Sequence, residues 1–215
     1  MKFEDTGLPR HPSIEKAFAD LVKLDAQDEF TSRGIAIARL IAAQSRDKDP
    51  DAIAAALYVP FTLESGPLTF ARTELTARAS EIVQSVFAVG SLAMRHEPVE
   101  DLYRQQDAPT RAVILAASAC MFAAAADEMI EIIEARRKSG AAADAQFLRK
   151  AFAPLSAFTA EVTRAETVET SLVKHCQNAV ARIEEVLTAI DSAPAPEARK
   201  PAPEAGKPAP RHHQP

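Results

Sequence analysis

The chain has 215 residues, a formal net charge of −5 and a pI near 5.6, with 47% hydrophobic residues, 6 glycines and no tryptophan. That acidic balance excludes broad, non-specific nucleic-acid binding, which needs a basic field. Low glycine and abundant alanine favour packed helices over sheets, and two cysteines, Cys120 and Cys176, far apart and without a CxxC spacing, exclude a disulfide framework or zinc knuckle.

The first predicted helix runs from Ser13, as N-cap, to Leu24, with Ile14, Phe18, Leu21 and Val22 at helical spacing. A second covers about Gln27 to Ser45, with Phe30, Ile37, Leu40 and Ile41 on one face; Gly34 inside it marks a bend or the true start. The third begins at Asp49, which can cap, followed by Pro50 at the first helical position and Asp51 at the positive end of the dipole. Its body AIAAALYV is apolar all round, so this helix should be central, and Pro60 should end or kink it.

Thr69 to Thr76 forms a short fourth segment, and Ala77 to Met94 a fifth carrying the stripe Ile82, Val83, Val86, Phe87 and Val89. Pro98 to Gln106 has room for one or two helical turns. Asp107-Ala108-Pro109 then starts the longest helix, about Thr110 to Ser139, stopped by Gly140. Asp144 to Phe152 leads through Pro154 into a segment reaching Glu166, and Thr167 to Ile190 completes an all-α bundle of about seven to nine helices over residues 1–191. Residues 192–215, rich in Pro-Ala, are expected to form a disordered tail, which holds four Lys/Arg and two Asp/Glu.

The N-terminal MKFEDTGLPR lacks the apolar core of a signal peptide. The longest apolar run, Ala112 to Ala126, falls short of the roughly 18–20 residues of a membrane span. A soluble cytoplasmic protein without a membrane span is expected.

Residues 33–92 carry a family resemblance. RGIAIARLIAAQSRDKDPDAIAAALYVPFTLESG, followed by SEIVQSVFAVGSL, resembles the N-terminal hydrolase domain of the RelA/SpoT family. The resemblance implies an HD-type helical fold whose active form degrades (p)ppGpp, the stringent-response alarmone, with one manganese ion. It places the family's His-Pro pair on Arg33-Gly34, its His-Asp pair on Val59-Pro60, its Glu-Asp pair on Leu63-Glu64 and its last Asp near Ser118-Ala119. This looks most like the degenerate hydrolase domain of the synthetase-only branch, which also carries an apolar-Pro pair for His-Asp.

A hard divalent ion needs several converging imidazoles or carboxylates. Arg33 is a permanent cation, Val59 has no lone pair and Glu64 lacks its companion acid, so metal-dependent hydrolysis is not expected. The expectation is a pseudo-hydrolase without cofactor, acting as a regulatory module through a protein partner, a second copy included. One alternative is nucleotide binding in a relic pocket formed by Arg33, Tyr58 and Glu64, with Arg33 forking onto phosphate, or residual phosphohydrolase activity there. Another is a structural, granule-associated helical protein.

Other groupings carry less. His175 and Cys176 are helix neighbours pointing about 100° apart, so they do not form a Cys-His dyad. Asp127, Glu131 and Glu134 share a face that reads as solvated, and His212 and His213 lie in the tail. No GxGxxG or Walker motif occurs.

Overall fold

The computed structural model describes residues 1–24, 29–44, 49–65, 74–138, 145–167 and 170–191. Among them the protein is all-helical: a 3-10 turn at Phe3–Thr6, then α1 (Pro12–Leu24), α2 (Glu29–Gln44), α3 (Pro50–Ser65), α4 (Ala77–Met94), α5 (Glu100–Arg104), α6 (Ala108–Lys138), α7 (Ala145–Ala165) and α8 (Ser171–Asp191). No strand occurs among these residues. The expected segment at Thr69–Thr76 falls mostly outside the described residues, and the Pro-Ala tail wholly so.

Short polar side chains set several helix starts, as caps should. Asp49 Oδ1 accepts the amides of Asp51 at 2.9 Å and Ala52 at 3.3 Å. Thr76 Oγ1 accepts the Ala79 amide at 3.0 Å and donates to Asp51 Oδ1 at 2.8 Å, joining the starts of α3 and α4. Asp107 Oδ1 takes the Thr110 amide at 3.0 Å, and Thr170 Oγ1 the Val173 amide at 3.2 Å. At α1 the expected cap shifts. Pro12 opens the helix, and the His11 carbonyl accepts the amides of Ile14 and Glu15 at 3.0 Å, so Ser13 lies inside.

Two cores organise the bundle. The main core collects α1 to α4, the first half of α6, and the ends of α7 and α8 nearest their junction, with α3 buried from Ala52 to Val59. A second core joins Ala126, Met129 and Ile133 of α6 to Leu148 of α7 and Ile183 and Leu187 of α8. The helices α6, α7 and α8 therefore run up, down and up, extending past the main body as a three-helix stem.

Neither Pro60 nor Pro154 ends its helix. α3 passes through Pro60 to Ser65, and α7 passes through Pro154 as one helix. An internal proline costs about 3 kcal/mol through a lost hydrogen bond and a crowded carbonyl. Beyond Pro60 that cost is offset by packing. Phe61 meets Phe30 of α2 edge-on with ring centroids 6.0 Å apart, and the buried Thr62 hydroxyl donates to the Tyr58 carbonyl at 2.8 Å.

Gly34 does not start α2. It lies inside the helix where a Cβ would sit 2.2 Å from the carbonyl oxygen of Leu57 and 2.9 Å from its carbonyl carbon. The backbones of α2 and α3 touch there.

α6 also departs from expectation. Over Ala108–Arg136 it is long and apolar enough, by length and composition, to cross a membrane, although the longest unbroken apolar run is shorter. The apolar window tolerates scattered polar residues such as Ser118, and 53% of it is buried inside the bundle.

Gly34→Ala should destabilise the protein by about 2–4 kcal/mol, because the new methyl meets backbone that cannot step aside. In a helix open to solvent the same change stabilises by about 1 kcal/mol. Urea unfolding distinguishes the two signs.

Candidate functional site

A half-open apolar pocket of about 220 Å³ lies between α3, α4, α6 and α7. Leu63 comes from the part of α3 beyond Pro60, and Val86 and Gly90 from α4. Ile114 and Ser118 come from the buried half of α6, and Phe158 from α7. The two prolines and the long helix thus position its walls. Gly90 leaves room in the wall: a Cβ there would stand 3.2 Å from Leu63 Cδ2, the end of a flexible side chain.

Among the described residues the lining holds no ionisable group. Its one hydroxyl, Ser118, donates to the Ile114 carbonyl at 3.0 Å and so is committed to its own helix. At the mouth stand Met94 and Met121, 62% and 42% exposed, which are soft, adaptable apolar groups.

Of the positions the resemblance assigns to metal ligands, Leu63 and Ser118 line this pocket. Gly34 is pressed on Leu57, two residues before Val59, so the backbones of α2 and α3 meet beside these positions. The residues there do not fit manganese. Val59 is buried hydrocarbon, Pro60 and Leu63 offer no side-chain donor, and the Ser118 hydroxyl is already engaged. Among the described residues no three His, Cys, Asp or Glu side chains come together as a metal-binding group. The Glu64 side chain lies outside the described residues.

Of the grouping Arg33, Tyr58 and Glu64, the structure describes the side chains of Arg33 and Tyr58. Arg33 is exposed on α2. Tyr58 is fully buried and turns to α1, where its hydroxyl donates to Asp20 Oδ2 at 2.6 Å. The same carboxylate oxygen accepts the Glu74 amide at 3.2 Å, tying α1, α3 and the approach to α4 together. Tyr58 is thus a structural pin. The second tyrosine, Tyr103, repeats the device: fully buried, it donates to Glu166 Oε1 at 2.5 Å, and Arg111 Nε lies 3.1 Å from that oxygen. Burial, and then the bonded carboxylate, push both phenols well above their ordinary range.

The remaining candidates stay apart. His175 is exposed while Cys176 is buried, its thiol donating to the Leu115 carbonyl at 3.2 Å. Asp127 pairs with Arg182 at 2.6 Å on the stem surface. The sequence reading missed the pocket itself; its one local signal was Gly90, a glycine at the end of the apolar stripe of α4.

Comparison of the chain with protein-family models, curated proteins and solved structures gives no match in any of the three.

Burial raises the Cys120 thiol to about 11 and the Cys176 thiol to about 12. The native state therefore keeps protons that the unfolded chain gives up from about pH 9. Their contribution is complete below pH 9 and is lost as pH rises towards the native values. Urea unfolding should show stability falling by about 1 kcal/mol or more between pH 9 and 10.5, and Cys176→Ala should flatten that decline.

Proposed function

We propose that the protein is a catalytically silent HD-type bundle that serves as a cytoplasmic binding module, with the apolar pocket as its recognition site. The observation that carries this reading is the pocket lining. Two positions that the family resemblance assigns to metal ligands, Leu63 and Ser118, face a cavity that has no charge or free donor among the described residues. Such a cavity has no means of activating water. Nor does it suit the phosphates of an alarmone, which would lose hydration without gaining a counter-charge. It suits hydrocarbon, and a regulatory module of this kind signals by changing shape or stability when the cavity fills.

The granule-coating alternative needs an apolar helical face presented outward. Here the apolar half of α6 packs into the main core, which favours a cooperatively folded bundle.

The test pairs an activity assay with a binding assay. Purified protein supplied with manganese should not turn over (p)ppGpp, and nucleotides should give no heat in calorimetry. 1-Octanol should raise the melting temperature. Gly90→Leu, which fills the cavity from its own wall, should abolish that rise while leaving the helical signal intact. Manganese-dependent turnover, or an octanol response that survives Gly90→Leu, would overturn the reading.

A further inference from the structure

A second, smaller concavity of about 90 Å³ adjoins the apolar pocket and shares Ala93, Pro154 and Phe158 with it as a common wall. Its character is opposite. His96, Glu97 and Glu161 line it. Glu97 is paired with Arg95 at 2.8 Å. Glu161, half-buried on α7, accepts the Val99 amide at 2.8 Å through Oε2 and has no cationic partner among the described residues. His96 holds a left-handed backbone with φ 58°, a conformation uncommon outside glycine, which ends α4 sharply and brings Glu97 and Val99 back towards α7. A negative charge without a matching cation thus stands beside a cavity that accepts only hydrocarbon.

We propose that the two concavities form one site for a small amphiphile: a hydrocarbon body seated between Leu63, Gly90 and Phe158, and a protonated amine held by Glu161. The size agrees with this class. An apolar cavity of about 150 Å³ already holds benzene, so one of about 220 Å³ takes a ring or a short alkyl chain, and the small annex holds a head group and little more. The sign agrees as well, because Arg95 already offsets Glu97 and an anionic head would meet the uncompensated Glu161 carboxylate. This inference rests on the apolar pocket being the recognition site.

The experiment titrates the full-length protein with n-octylammonium, 1-octanol and octanoate by calorimetry. A charge-assisted hydrogen bond at the annex should make octylammonium bind about tenfold or more tightly than octanoate. Glu161→Gln keeps an acceptor for the Val99 amide and removes the charge, so it should bring the three ligands close together while leaving octanol binding unchanged. Gly90→Leu should remove binding of all three. Equal or tighter binding of octanoate, or an ammonium preference unaltered in Glu161→Gln, refutes the amine head while octanol binding keeps the apolar site standing. Failure of all three to bind refutes both.

Discussion

The bundle depends on one backbone contact, the crossing of α2 over α3 at Gly34 and Leu57. Helices usually pack 8–10 Å apart, at a distance set by their side chains. Here no side chain intervenes from α2, and a β-carbon would overlap the Leu57 carbonyl at 2.2 Å. Pro60 crowds the Ala56 carbonyl, four residues before it, and the Leu57 carbonyl that meets Gly34 is the next along α3. Phe61, just beyond the proline, finds Phe30 on the same neighbouring helix.

The placement of α3 then decides the site. Its middle is buried on every side, so the helix is held by α1, α2, α4 and α6 together. Tyr58 fixes its rotation by reaching Asp20, and Tyr103 does the equivalent work for α5 against Glu166 beyond the end of α7. With these pins in place the last turn of α3 delivers Leu63 to the space between α4 and α7. A glycine and a proline, Gly90 and Pro154, keep that space from being filled.

α6 serves both cores at once. Its first half is a buried wall of the main body, and its second half is one strut of the stem with α7 and α8. That division explains why the helix resembles a membrane segment in its composition and yet sits half-buried in a helical bundle. Alanine lets neighbouring helices come close, while the acids after Ala126 and, near its end, Arg136 and Lys138 face solvent, the cations matching the helix dipole.

Much of the helical framework was legible in the chain. Ala77–Met94 agrees residue for residue, and the caps at Asp49, Thr76 and Asp107 sit where short polar residues precede apolar periodicity. These features are local, since capping and periodicity involve residues within a turn or two of each other. What misled was equally local: Pro60 and Pro154 read as possible helix ends and Gly34 as a possible start because propensity weighs a residue against its own helix. Only the tertiary structure showed that Phe61 packs on Phe30, that Tyr58 points to Asp20 and that Gly34 meets the Leu57 backbone. The pocket is the extreme case. Its walls come from residues 63 to 158 on four helices, and an empty space between them has no letter in the sequence; it exists only where the packed helices fail to fill it.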